Sequence, residues 1–220
     1  MEIDQLIQTI AIFALPVLFA ITLHEAAHGY VARYFGDMTA YAQGRISLNP
    51  MRHIDLVGTL LVPLAILSFS WLLGSGFLFG WAKPVPVNYS ALRRPKQQMA
   101  WVAFAGPAAN LAMAVGWALL LKLAIELPAN FFSMPMAEMA KAGIVVNVAL
   151  MFLNLLPILP LDGGRILASL LPDRMAGQYA RLEPWGMPIL LALVFSNALG
   201  SVLGPLMNMS GALLGAFISL

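Results

Sequence analysis

No Asp, Glu, Lys, Arg or His falls between residues 5 and 23, and none falls anywhere from 184 to 220. Further uncharged runs cover 56–82, 97–121 and 142–161. Runs of this kind narrow the possible folds sharply. About 20 apolar residues in a helix cross the hydrocarbon of a bilayer. Inside lipid every backbone N–H and C=O must be paired internally, which only helices and closed barrels achieve. Composition agrees: 60% of residues are hydrophobic and 10% charged, where a soluble domain carries about 25% charged residues. The expected fold is an all-α integral membrane protein, a polytopic helical bundle forming one domain over 1–220. Helices are expected at about 5–34, 97–123, 142–160 and 185–204, with surface helices over 163–183 and an apolar tail at 206–220.

The start, "MEIDQL", is acidic ahead of its apolar run, whereas a secretory signal begins with positive charge; the first helix is therefore expected to be retained. There is no cysteine, so neither disulfides nor thiolate metal ligands are available. A net charge of +2 with no long basic stripe excludes a nucleic-acid partner. Basic residues set the orientation. Arg33, Arg45 and Arg52 follow the first helix; Lys83, Arg93, Arg94 and Lys96 precede the next long one; Arg165, Arg174 and Arg181 follow the run 142–161. These ends are expected on the inside. The chain is then inside on both flanks of 56–82, so this segment is expected to enter and return without a net crossing, as a re-entrant or broken stretch at about 56–88. Residues 40–48, "AYAQGRISL", alternate loosely and contain a glycine. They are expected to form a small membrane-associated β element whose edge takes up substrate as an added strand; a plain surface hairpin is the alternative.

At the inner end of the first run stands "HEAAH". His24 and His28 are four residues apart and so share one helical face, while Glu25 is turned away from both and suits a metal-bound water. Short H-E-x-x-H matches also arise by chance in helices. Ionisable groups inside a membrane run cost roughly 2.5–3.5 kcal/mol on insertion scales and mark function by default. A catalytic zinc takes three protein ligands and a water. The chain holds three histidines, His24, His28 and His53, so a carboxylate is the natural third ligand. Asp162 closes the run 142–161 within "NLLPILPLDGGRIL", at the depth of the two histidines if both helices run inward. The alternative for Asp162 is an Asp-Gly turn ending a helix. His53, in "LNPMRHIDL", is either a surface histidine or a group behind the ligands or beside the substrate.

Together "HEAAH", "FAGPAANL" and "NLLPILPLDGGR", in this order, resemble the site-2 protease family of intramembrane zinc metalloproteases, and in particular its compact bacterial branch without an appended regulatory domain. "SLNPMRHIDLVGTL" and "GWAKPVPVN" resemble that branch too. The resemblance runs from about residue 20 to 170. It implies one zinc ion per chain, bound by His24, His28 and Asp162, with Glu25 as catalytic acid and base. It also marks Asn110 and Asn154, which are expected to hold the oxyanion or the substrate backbone; hydrogen bonding between helices is the other reading for both.

The chemistry expected is hydrolysis of peptide bonds in or near transmembrane segments of membrane-protein or signal-peptide-like substrates. The enzyme is expected as a multi-pass protein of the inner or plasma membrane, with its active site toward the cytoplasm. "GALLGAF" near the end would suit a weak homodimer. A metal transporter would also carry His and carboxylates within helices, but it would spread them along a pathway, and here they gather near one end. An inactive scaffold would have no need of Glu25.

Overall fold

The computed structural model describes residues 3–61, 82–128, 130 and 132–219. Helix α1 spans Ile3–Tyr34, with Asp4 in its first turn and Arg33 in its last, each of the sign that suits the helix dipole there. One helical turn follows, α2 (Thr39–Ala42). Beyond residues 82–88, which form no regular element, come α3 (Pro95–Glu126) and α4 (Ser133–Asn154). Three shorter helices, α5 (Asp162–Leu170), α6 (Asp173–Ala180) and α7 (Glu183–Phe195), lead to α8 (Ala198–Ser219). Among the described residues four helices are long and apolar enough to cross a membrane: α1, α3, α4 and α8. Helix α7 has 13 residues, about 20 Å at 1.5 Å per residue, which is short of the hydrocarbon thickness.

Helix α3 is the hub and packs against α1, α4 and α5, while α1 also meets α4. Its inward face carries Gly106, Asn110, Ala114 and Ala118, one residue per turn, all buried. Ala20, Ala26 and Ala32 of α1 and Ala140 and Ala142 of α4 are buried too. The large apolar side chains point the other way: Phe13, Phe19, Trp101, Phe104, Leu119 and Leu123 are exposed. Lipid solvates those side chains as well as protein does, so helices in a membrane associate through small residues that let backbones close up, and through polar contacts.

Two expectations need amending, and a third falls mostly outside the described residues. The β element after α1 is absent, and no strand occurs among the described residues. Residues 39–45 instead close on themselves: Ala42 N–H donates to Met38 O and Arg45 N–H to Ala40 O. Asp37 Oδ1 accepts from Thr39 N–H, and Gly44 takes φ +62°. Segment 82–88, which forms no regular element, lies alongside, but Pro84 and Pro86 have no N–H to give a ladder. Arg45 reaches it by side chain, donating to Lys83 O and Pro84 O. With no sheet, an edge at 40–48 that receives substrate is withdrawn. The expected return of 56–82 lies mostly outside the described residues; Leu56–Leu61 is a π-helical stretch, and Lys83 N–H donates to His53 O at 2.9 Å. Finally, the apolar run 184–220 divides at Asn197, not after Gly204. Asn197 takes φ +59°, a left-handed conformation that asparagine tolerates, and α8 continues through Pro205.

Candidate metal centre

Helix α1 presents His24 and His28 one turn apart toward α3, and both are buried. Asp162 arrives from the first turn of α5, at the end of the connection from α4. Its Oδ2 lies 3.1 Å from His24 Nε2 and 3.4 Å from His28 Nε2, and the two Nε2 atoms are 3.1 Å apart. One ligand atom from each residue falls within 4.8 Å of the others.

The far side of each ring decides what these three atoms are. His28 Nδ1 sits 2.7 Å from Val102 O. A carbonyl only accepts, so this nitrogen carries the proton and the neutral ring turns a lone pair toward Asp162. His24 Nδ1 donates to Asn110 Oδ1 at 2.5 Å, with the same consequence. Two imidazole lone pairs and a carboxylate oxygen thus converge, all acceptors, and the buried Asp162 Oδ2 has no hydrogen-bond donor. Such a cluster repels itself unless a cation or protons occupy its centre, and the donor set of two nitrogens and one oxygen suits zinc with one position left for water. The Nδ1 partners are of the kind that orient metal-ligating histidines elsewhere.

Two glycines make the approach possible. A Cβ on Gly106 would lie 2.5 Å from His24 Cε1 and from His28 Nε2, so the rings occupy the volume of an absent side chain. A Cβ on Gly163 would lie 2.2 Å from Leu155 O. This glycine seats α5 against the turn leaving α4, and so sets the depth of Asp162. It serves by close packing; left-handed glycines occur at Gly36 and Gly44.

Glu25 lies beside the cluster on α1, and its Oε2 accepts from Val85 N–H at 2.8 Å. The segment carrying Val85 is tied at both ends: Arg45 holds Lys83 O and Pro84 O, and the fully buried Asp37 accepts Asn88 N–H at 2.6 Å. Asn154 is half-buried near the end of α4, with its amide donating to Leu150 O at 3.0 Å.

Asn110 stands elsewhere than a substrate-binding role requires. It is 0% exposed. Its oxygen is engaged by His24 and its nitrogen donates to Asn147 Oδ1 and Ala20 O, which leaves no amide group for a substrate. His53 is neither on the surface nor among the ligands. Its Nε2 donates to Ser47 O, and the ring lines a cavity of about 20 Å³ with Leu18 and Thr22 of α1, room for one water. Participants unmarked in the sequence reading include Asn147, Asp37, Gly106 and the backbone groups of Val85 and Val102. Asn147 did carry a signal, as an amide inside an apolar run.

Fold and cluster define a class: a polytopic membrane protein with a metal-competent centre inside its bundle. Similarity to known proteins narrows it. The model of peptidase family M50 matches residues 123–196. Over 197 residues the chain is 38% identical to "Putative zinc metalloprotease YwhC" of Bacillus subtilis (strain 168), covering 87% of this chain and 84% of that one. It is 32% identical over 186 residues to "Putative zinc metalloprotease Rip2" of Mycolicibacterium smegmatis, covering 83% of this chain and 66% of that one. The protein of the same name in Mycobacterium tuberculosis is 28% identical over the same length. No solved structure matches significantly. The chain belongs to peptidase family M50, the site-2 proteases, and is a zinc metalloprotease.

Proposed function

We propose that this protease hydrolyses peptide bonds in or near the transmembrane segments of membrane-protein or signal-peptide-like substrates, with its centre toward the cytoplasmic side of the membrane. His24, His28 and Asp162 hold one zinc ion, and Glu25 is the general base and acid. The observation that carries this reading is the convergence of three acceptor atoms, two of them backed by hydrogen bonds on the far side of their rings, at one buried point. The basic residues flanking the inner ends of α1, α3 and α4 support the orientation.

Zinc held by these residues supplies an acidified water and a Lewis acid for the scissile carbonyl. Val85 N–H holds one oxygen of Glu25, so the carboxylate is aimed before substrate arrives. Glu25 accepts the proton of the attacking water and returns it to the leaving amine nitrogen. Asn154 spends one amide hydrogen on Leu150 O and keeps a second to stabilise the developing oxyanion or a substrate carbonyl. Asn154→Ala is then expected to lower turnover more than zinc content; the opposite pattern would make it a structural residue.

The test of the whole reading is zinc content and cleavage of a transmembrane substrate, for wild type and Glu25→Gln. Zinc retained with cleavage lost is expected. Cleavage by Glu25→Gln at the wild-type rate would remove Glu25 from the chemistry.

A further inference from the structure

The two histidines are oriented by different means. His28 needs one partner, the backbone carbonyl of Val102. His24 leans on a side-chain amide that can be turned over, since the two ends of an asparagine amide have the same shape and opposite hydrogen-bonding character. Something has to decide which end of Asn110 faces the ring.

The deciding contacts form a chain that begins at a backbone carbonyl in α4. Gly143 O only accepts, so it takes the nitrogen end of Asn147 (Asn147 Nδ2 donates at 2.8 Å). Asn147 therefore turns its oxygen to Asn110, whose Nδ2 donates to it at 3.0 Å. Ala20 O, a second acceptor-only group, takes Asn110 Nδ2 at 3.4 Å. With its nitrogen end committed, Asn110 can offer only its oxygen to His24, so the His24 proton resides on Nδ1 and the Nε2 lone pair faces Asp162. Both asparagines are 0% exposed, and no solvent is at hand to substitute for a lost link. Reversing either amide would set two acceptors or two donors against each other inside the bundle, at the cost of unpaired buried groups.

We propose that Asn147 is a positioning residue for the metal centre. Through Asn110 it fixes the tautomer of His24, although it touches neither the metal nor the substrate. This rests on the reading of His24 as a zinc ligand. The inference also sets a different value on three amides of the bundle: the buried Asn110 and Asn147 serve the metal, whereas the half-buried Asn154 serves the substrate.

The test is zinc affinity by chelator competition on the intact, detergent-solubilised protein, together with the melting temperature of the zinc-free form. The variants are Asn147→Leu, Asn110→Leu, the double variant, Asn147→Asp and His24→Ala. Leu fills the space of Asn without its polar atoms, and partners of metal-bound histidines elsewhere are worth 10–100-fold in metal affinity, so Asn147→Leu should weaken zinc binding roughly tenfold. Adding it to Asn110→Leu should weaken binding no further, because the link it acts through is already gone. Asn147→Asp, neutral in that dry site, still accepts from Asn110 and donates to Gly143 O, and should restore affinity. A purely structural asparagine would instead lower the zinc-free melting temperature with zinc affinity unchanged, or act additively with Asn110→Leu; either result overturns the proposal. If Asn147→Leu does not fold, Asn147→Ala is read by the same criteria. Wild-type zinc affinity in His24→Ala would refute the ligand assignment itself. Zinc lost in His24→Ala but kept in Asn147→Leu would refute the positioning role alone.

Discussion

Helices α3 and α8 are both apolar spans, yet the protein treats them oppositely. In α3 the inward stripe of Gly106, Asn110, Ala114 and Ala118 is buried, with the last three at 0% exposure. In α8, none of its 22 residues is buried. Its glycines at 204, 211 and 215 have open space where a Cβ would be. Hydropathy, which marks both as spans, says nothing of this difference. The four-residue repeat of small and amide residues does not separate them either, since α8 has one at Gly200, Gly204, Asn208, Ala212 and Ala216 and leaves it unburied; in α3 that face is where polar groups and backbones from α1 and α4 are brought together. The site sits on that stripe: Gly106 admits the two rings and Asn110 orients one of them.

The contrast can be broken most forcefully by one methyl group. Gly106→Ala puts a Cβ 2.5 Å from both imidazoles and should cost roughly tenfold or more in zinc affinity with proteolysis falling alongside. Gly204→Ala on α8 meets nothing within 4 Å and should leave both unchanged. Equal effects at the two positions would end the distinction. A smaller effect is expected from bulk away from the metal. Ala118→Leu overfills the α3 stripe and should destabilise the fold by about 1–3 kcal/mol. Leu213→Ala, at a position 65% exposed on α8, should stay within about 0.5 kcal/mol, both read by denaturation in the same detergent. The smallest effect lies at the start of α3, where Lys96 meets Asp173 at 2.6 Å and holds its carboxyl below the usual carboxylate range. A carboxylate lowered in this way contributes only above its unfolded pKa, and the contribution is lost as pH falls through the folded value. Lys96→Met should move the NMR titration midpoint of Asp173 upward toward an ordinary aspartate without changing melting at neutral pH, since the pair is exposed and screened. An unmoved midpoint would show that Lys96 is not the cause.

The sequence exposes some of this because certain constraints are local. Uncharged runs mark spans, since lipid admits little else. They mark lipid depth better than helix ends, however. Helix α4 begins at Ser133, nine residues before its uncharged run, because Glu138 and Lys141 pair at 2.8 Å and let a charged turn extend the helix. That His24 and His28 share a face follows from four-residue spacing alone. The β reading of 40–48 failed where loose alternation met Gly44 in a left-handed conformation and a neighbour whose Pro84 and Pro86 have no N–H, while its Lys83, Val85 and Asn88 amides go to His53, Glu25 and Asp37. Val85 N–H could not be found beforehand, since every residue but proline has a backbone amide and only the tertiary register chooses one. Asn147 lies 37 residues from its partner Asn110, and nothing local links the two.

The central claim is that α1 and the start of α5 supply one zinc ion with two imidazoles and one carboxylate. X-ray absorption at the zinc edge tests it most directly, on wild type and Asp162→Ala. Wild type should show two imidazole shells with nitrogen and oxygen at about 2.0–2.1 Å, and Asp162→Ala should lose the metal or exchange that oxygen for solvent. A single imidazole, three imidazoles including His53, or an Asp162→Ala spectrum and zinc affinity identical to wild type would contradict it.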